Sequence, residues 1–311
     1  ISYSYLVDGT YEVVLTVTDD SGAFDVATAT VVVSNGAPQI VTFEGTTSGN
    51  EGDVFSYSAS ATDPGSDALT YSWTFGDGGV ASGQSVSHIY ADNGTFTVKL
   101  TVTDSQGAEA SASKTVSVAN VAPSATLSGP SSGNEGSSLR YSASATDPGA
   151  DTLTYAWNFG DGGTASGTHV THTFADNGTY TVTLTVQDDD GGADVETLAV
   201  TIANVQPSIV SLEGPSVGNA GEPLTYIASA VDPGADILTY TWEFGDGTPP
   251  ISGVNTTTVT HAWASIGAYT LTLTVTDDDG DSAATTRTLS LIHISEPTRL
   301  RRISYAVFCL K

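Results

Sequence analysis

Apolar and polar residues alternate along several stretches of the chain, and threonine most often occupies the polar positions. A period of two residues is typical of a β-strand that buries one face and leaves the other in solvent. No stretch shows the 3.6-residue period of an amphipathic helix, so the pattern predicts an all-β protein. The clearest runs are Tyr11, Val13, Leu15 and Val17; Phe96, Val98, Leu100 and Val102; and Tyr180, Val182, Leu184 and Val186.

A Tyr-x-Trp-x-Phe-Gly-Asp-Gly motif occurs three times, and its tryptophans, Trp73, Trp157 and Trp242, are 84 and 85 residues apart. An Asp-Pro-Gly turn precedes each tryptophan by ten residues. A fixed period of this length indicates tandem modules. The first alternating run lacks the motif upstream, so residues 1–36 are interpreted as the C-terminal half of a truncated module. The predicted whole modules are residues 37–120, 121–204 and 205–288.

Each module combines short alternating runs with turn signals rich in Asp, Asn, Pro and Gly. Many short strands separated by such turns are typical of a small antiparallel β-sandwich. The linkers, residues 119–123 and 203–207, are short, and each ends in a proline that restricts its own φ angle and the residue before it. The sequence therefore predicts an elongated array of β-sandwiches with limited bending between them.

The repeated motif is followed in each module by a His-x-aromatic pair and by a Gly-x-aromatic start to the alternating run. This order resembles the PKD domain (polycystic kidney disease repeat) over residues 1 to about 288. The resemblance implies immunoglobulin-like β-sandwiches and an extracellular setting, similar to tandem modules of bacterial surface and secreted proteins. The third module departs from the pattern by inserting Pro249-Pro250 and by having Asn219-Ala220 where the others have Asn-Glu.

Acidic residues outnumber basic ones by 35 to eight, which gives a formal net charge of −27. This balance excludes a nucleic-acid-binding surface, because phosphates need cationic partners. One cysteine, Cys309, and no methionine exclude a disulfide framework, a zinc cluster and a thiol redox site. No apolar run approaches the roughly 20 residues of a transmembrane helix, so no membrane insertion is expected.

Residues 289–311 resemble the conceptual translation of a sequencing adapter and are interpreted as a non-native tail. Leu289 and Leu291 nevertheless continue the alternation of the preceding run. The tail holds Cys309 and four of the eight basic residues. The rest of the chain is interpreted as a fragment, because it does not begin with methionine. The resemblance to tandem modules of bacterial surface and secreted proteins implies that the longer protein is prokaryotic.

The repeated aromatic residues and histidines are expected to be structural. A tryptophan on a central strand of each module belongs in the sandwich core, and Phe75, two residues after Trp73, shares its strand face. His88, His172 and His261 occur once per module with no second histidine or cysteine beside them, so a hydrogen-bonded role is expected instead of metal binding. Repeated identical carboxylate pairs lack the asymmetry that a glycosidase needs, and the chain is predicted not to be an enzyme.

Acidic pairs at the turns are the one candidate for chemistry. Each Asp-Pro-Gly turn has a second aspartate four residues after the first, and each later hairpin also closes on aspartate. Two interpretations stay open: carboxylates at flexible turns suit Ca²⁺, which takes six to eight oxygen ligands, but aspartate is also a good solvated turn former. No cofactor is required. The candidate calcium ligands are Asp63, Asp67, Asp104, Asp147, Asp151, Asp188, Asp232, Asp236 and Asp277.

The favoured function is that of a non-catalytic extracellular or cell-surface spacer and adhesion array, which contacts proteins or carbohydrates and projects distal domains. The alternative is a set of accessory modules that position substrate for a larger extracellular protease or polysaccharide-degrading enzyme. Homophilic adhesion along strand edges is a third interpretation, and the sequence leaves the oligomeric state and the ligand open.

Overall fold

A computed structural model describes residues 1–292, which contain 26 β-strands and no helix. The all-β prediction is confirmed. No helix within this range is long and apolar enough to cross a bilayer. The chain begins with a hairpin, and its two strands are β1 (Gly9–Thr18) and β2 (Phe24–Val33).

Three sandwiches of eight strands each follow the hairpin. The strands of the first module are β3 (Gln39–Gly45), β4 (Ser48–Asn50), β5 (Val54–Thr62), β6 (Thr70–Thr74), β7 (Val80–Ser82), β8 (Ser85–Ile89), β9 (Gly94–Thr103) and β10 (Glu109–Ala119). Those of the second are β11 (Ser124–Ser128), β12 (Ser132–Asn134), β13 (Ser138–Thr146), β14 (Thr154–Asn158), β15 (Thr164–Ser166), β16 (His169–Thr173), β17 (Gly178–Gln187) and β18 (Ala193–Ala203). Those of the third are β19 (Ser208–Glu213), β20 (Val217–Asn219), β21 (Leu224–Val231), β22 (Thr239–Glu243), β23 (Ile251–Val254), β24 (Thr258–His261), β25 (Gly267–Thr276) and β26 (Ser282–Ile292).

Each module pairs a three-stranded sheet with a five-stranded sheet. In the first module the strand orders are β3-β5-β8 and β4-β10-β9-β6-β7, and the other two modules repeat both orders. All strand pairs in the first module are antiparallel except β4 with β10, which run parallel. This exception is important for the functional site, because it places the turn after β4 beside the linker that leaves β10.

The core of each sandwich is made of the alternating positions predicted from the sequence. Trp73 lies opposite Leu100 in the register of β6 and β9, and both side chains are buried. The Trp73 indole Nε1 donates a hydrogen bond to the Gly83 carbonyl at 2.8 Å, so its polar atom is satisfied inside the core. Trp157 and Trp242 are buried in the same way. The prediction that these tryptophans are structural is confirmed.

The Phe-Gly-Asp-Gly motif forms a turn that fixes the repeated histidine. Gly76 has φ of +92°, and a Cβ there would lie 2.8 Å from the Thr97 amide nitrogen, so the turn requires glycine. Asp77 accepts hydrogen bonds from the Gly79 amide at 2.8 Å and from His88 Nε2 at 2.6 Å. The His88 ring stacks on Phe75 with a centroid distance of 4.1 Å.

The other two modules repeat this arrangement with His172 on Asp161 and His261 on Asp246. The histidines therefore have the hydrogen-bonded structural role that the sequence predicted.

The third module continues four residues into the predicted tail. Strand β26 ends at Ile292, and Leu289 and Leu291 are buried against β25. Residues 293–311 of the predicted tail lie outside the described residues, so its non-native origin stays a prediction.

The chain forms two compact units. The first unit consists of residues 1–126, 143–156 and 185–196, which are the hairpin, the first module and one end of the second module. Among the described residues, the second unit consists of 127–142, 157–184 and 197–292. Each unit contains one complete junction between successive modules, and these junctions hold the candidate site.

Candidate functional site

The candidate site of the first unit is a junction built by the first module, the linker and one end of the second module. Glu51 follows β4, where its amide donates to the Ala119 carbonyl at 3.0 Å and so extends the parallel pairing with β10. Its side chain lies beside the linker, and Oε1 accepts a hydrogen bond from the Val121 amide at 2.7 Å. Glu51 is only 1% exposed. A carboxylate is rarely buried to this extent without a specific partner.

Backbone contacts close the same junction. The Ala150 amide, in the Asp-Pro-Gly turn of the second module, donates to the Ala91 carbonyl of the first module at 2.6 Å. Gly52 has φ of +75°, and a Cβ there would lie 2.9 Å from Pro148 Cβ. The absence of a side chain at Gly52 therefore lets the two modules approach closely.

The second unit contains a junction with the same construction. Glu135 is 1% exposed, and its Oε1 accepts a hydrogen bond from the Val205 amide at 2.5 Å. The Ala235 amide donates to the Ala175 carbonyl at 2.6 Å. Two independent copies of one arrangement, 84 residues apart, show that the junction is a repeated property of the sequence.

Carboxylates converge at each junction. One oxygen each of Glu51, Asp147 and Asp151 lies within 4.8 Å of the other two. A second triad, Asp92, Asp151 and Asp190, shares Asp151 with the first and is more exposed. The triads of the second unit are Glu135, Asp232 and Asp236, and Asp176, Asp236 and Asp279.

The inner carboxylates have oxygens without a partner. Within residues 1–292, Glu51 Oε2, Asp147 Oδ2 and Asp151 Oδ2 are buried and accept no hydrogen bond. Within residues 1–292, ion pairs form only between the histidine and the aspartate of each Phe-Gly-Asp-Gly turn. In this part of the chain, no lysine or arginine forms an ion pair with the carboxylates of the triads. Unpartnered buried oxygens of like charge are costly unless a cation or proton joins them.

Protonation shifts reflect this crowding. Burial, followed by the charges of Glu51 and Asp147, raises the pKa of Asp151 to about 6. Burial, followed by the charges of Glu135 and Asp232, raises the pKa of Asp236 to about 7. Both shifts favour the neutral acid, as expected where carboxylates face one another without a counter-ion.

The candidate calcium ligands of the first module lie together. Asp63, Asp67 and Asp104 place one oxygen each within 4.8 Å of one another. The Asn35 amide group donates to Asp104 Oδ2 at 2.8 Å, and the Gln106 and Ala108 amides donate to Oδ1. The hydrogen bond from Asn35 lowers the pKa of Asp104, and the backbone amides lower it further. Burial acts in the opposite direction but does not cancel these effects.

The later modules distribute the candidate ligands differently. Asp147 with Asp151, and Asp232 with Asp236, lie together, but the described triads around them contain a glutamate and not Asp188 or Asp277. Asp188 and Asp277 accept hydrogen bonds from the linker residues Asn120 and Asn204, as Asp104 does from Asn35. Calcium binding by the nine aspartates stays a prediction.

Sequence reasoning missed Glu51 and Glu135. The available signal was the Asn-Glu-Gly repeat at Asn50 and Asn134, which ends when Ala220 replaces the glutamate in the third module. A glutamate in a turn appears solvated from sequence alone, and only the parallel pairing of β4 with β10 brings it under the next module.

The PKD-domain family model matches residues 35–119, 120–202 and 204–291. The chain belongs to the PKD-domain family. The resemblance identified from the motifs is therefore confirmed, and so is its immunoglobulin-like sandwich fold.

Similar PKD modules occur in bacterial collagenases. A microbial collagenase of Vibrio alginolyticus is 37% identical over 87 residues, which are 28% of this chain and 11% of that enzyme. Collagenase ColA of Bacillus cereus is 36% identical over 77 residues, which are 24% of this chain and 8% of that enzyme. The matches thus span about a tenth of these relatives.

Among solved structures, the PKD1 domain of Vibrio anguillarum Epp is 34% identical. That match covers 27% of this chain and 96% of the domain, with a TM-score of 0.24.

Proposed function

We propose that the chain is a non-catalytic extracellular array that holds neighbouring domains at a set spacing and orientation and offers its modules for protein or carbohydrate contact. The observation that carries this proposal is the pair of closed junctions around Glu51 and Glu135. In each junction a buried glutamate carboxylate accepts a hydrogen bond from a backbone amide of the linker. Opening a junction would leave the Val121 or Val205 amide without this acceptor, so each closed arrangement is favoured over free rotation.

The experiment is a distance measurement across the first junction. Spin labels at Ser72→Cys and Thr146→Cys, both exposed and both in the first unit, are introduced in a Cys309→Ser background. A narrow distance distribution is expected, and it should widen in Glu51→Ala, which removes the acceptor for the Val121 amide. A broad distribution in the otherwise unchanged chain would contradict the proposal.

A second candidate function is substrate positioning for an extracellular hydrolase. It is favoured by the 37% and 36% identity to modules of two collagenases. Retention on insoluble collagen, with chitin and cellulose as controls, tests it, and a pure spacer should bind none of the three.

Sedimentation over a range of concentrations tests homophilic adhesion, which requires dimers.

A further inference from the structure

The side chain of Glu51 points an unused oxygen at the next module. Glu51 is 1% exposed, its Oε1 is occupied by the Val121 amide, and its Oε2 is buried with no hydrogen-bond partner among the described residues. One carboxylate oxygen of Glu51 lies within 4.8 Å of an oxygen of Asp147 and of an oxygen of Asp151. Three carboxylates from two modules thus converge, and each has one buried oxygen that accepts no hydrogen bond among the described residues.

The Asp-Pro-Gly turn is shaped to receive this carboxylate. A Cβ on Gly149 would lie 2.9 Å from Glu51 Cδ and 3.1 Å from Oε2, so the glutamate occupies the space that a side chain would need. Gly234 is related to Glu135 in the same way, with 2.8 Å to Cδ and 3.0 Å to Oε2. At Gly65 of the first module the corresponding neighbours are only the aspartates of its own turn.

The second junction repeats the unsatisfied oxygens. Within residues 1–292, Glu135 Oε2, Asp232 Oδ2 and Asp236 Oδ2 are also buried and without a partner. Buried oxygens without a partner are normally rare. Three of them meet at each junction, which a chance grouping of acidic surface residues does not explain.

We propose that each junction binds a calcium ion between successive modules, with ligands from both. Glu51 of the first module and Asp147 and Asp151 of the second hold one ion, and Glu135, Asp232 and Asp236 hold the other. The inference deepens the proposed function, on which it rests, because an ion shared by two modules would add to the stability of a junction that the linker hydrogen bond already closes. Glu51 and Glu135 are the ligands that couple binding to module orientation.

The donor set favours calcium over other metals. Every triad atom is a carboxylate oxygen, with no histidine or cysteine, which disfavours zinc and copper. At the first junction the ligands lie in turns, one in the first module and one in the second. Ligands in turns suit the variable coordination geometry of Ca²⁺ better than the strict octahedral geometry of Mg²⁺. The exposed aspartates Asp92 and Asp190 lie beside Asp151 and increase the local negative charge.

The experiment titrates the full chain with calcium chloride in chelator-treated buffer, by calorimetry and by thermal melting. The variants are Glu51→Gln, Glu135→Gln and the matched control Glu44→Gln, which removes the same charge from an exposed site on β3. Glutamine keeps the Oε1 acceptor for the linker amide, so the junction fold is retained. Each junction variant should lose one calcium equivalent, or weaken it by more than about tenfold, and the control should bind like the unchanged chain.

Melting in EDTA separates binding from folding. Glu51→Gln should melt no lower than the unchanged chain in EDTA, because it removes one of three facing charges, yet its melting temperature should rise less when calcium is added. Equal calcium stoichiometry and affinity in all variants would overturn the shared site, even if calcium binds at other acidic turns. A narrow spin-label distance in EDTA would then leave the proposed spacing function standing.

Discussion

The Asp-Pro-Gly turn of the first module and those of the second and third have nearly the same sequence but different conformations. In the first module, Ser66 has a positive φ of 64°, and its amide donates to Asp63 of the same turn. At the equivalent positions, Ala150 and Ala235 donate instead to the preceding module. The turn therefore closes on itself where the preceding element offers no glutamate, and it joins two modules where one is present.

This difference distinguishes the acidic turn from the buried glutamate of the preceding module, which cannot be told apart from a solvated acidic residue by sequence alone. Acidic residues at the turns are common to all three modules, as Asp63 with Asp67 shows in the first. Within residues 1–292, a buried glutamate with an unpartnered oxygen is found only at the two junctions. The acidic turn is thus a feature of every module, and the contact between modules forms where Glu51 or Glu135 lies against it.

The largest effect is expected from closing the space between modules. Gly136 and Gly221 occupy equivalent turns with φ of +67° and +84°, but only Gly136 faces the next module. A Cβ at Gly136 would contact the Pro233 carbonyl oxygen, and one at Gly221 would meet nothing within 4 Å. Both alanine variants incur the cost of a left-handed residue, about 1 kcal/mol, and Gly136→Ala should lose about 2 kcal/mol more through the clash.

Urea unfolding of both variants measures this difference. Equal losses in Gly136→Ala and Gly221→Ala would mean that the second junction is open in solution.

The second effect comes from the linker hydrogen bond. Glu51→Ala leaves the Val121 amide without its acceptor, which should destabilise the first junction by about 1–3 kcal/mol in calcium-free buffer. Glu44→Ala on β3 is the matched exposed control and should change stability by less than about 0.5 kcal/mol. Thermal melting in EDTA gives the comparison, and equal melting temperatures would contradict a closed junction.

Strands and core were predictable from sequence because they depend on local alternation. The positions of Trp73, Leu100 and the histidine turns follow from a two-residue period and a repeated motif, and the structure confirms them. The junction glutamates were not predictable, because their burial depends on the parallel pairing of β4 with β10 and on the approach of Pro148. The Asn-Glu-Gly repeat marks the position of the glutamates, but it does not show that another module covers them.

A carboxylate with a partner provides a third case for comparison. Burial acts to raise the pKa of Asp246, but hydrogen bonds from the Thr248 hydroxyl and from His261 outweigh it and lower the pKa to about 2 from 3.8. A lowered pKa in the folded state contributes stability above pH 4 that is lost as the pH falls toward 2. Asp246→Asn should therefore cost about 1 kcal/mol at pH 5 and almost nothing near pH 2.

Melting curves of Asp246→Asn and of the unchanged chain between pH 5 and pH 2 test this dependence. A constant difference across the range would show that the charge of Asp246 does not stabilise the turn.

The smallest effect concerns the turn conformation itself and has opposite signs in the two kinds of module. Ser66→Gly should stabilise the first module by about 0.5–1 kcal/mol, because glycine adopts a positive φ without steric cost. Ala150→Gly should destabilise the first junction by a similar amount, because Ala150 does not share that conformation and glycine adds backbone freedom to the unfolded chain. Melting temperatures that move in the same direction in both variants would show that the two turns do not differ in solution. A rise for Ser66→Gly with a fall for Ala150→Gly would tie the conformation of the turn to the presence of a module in front of it.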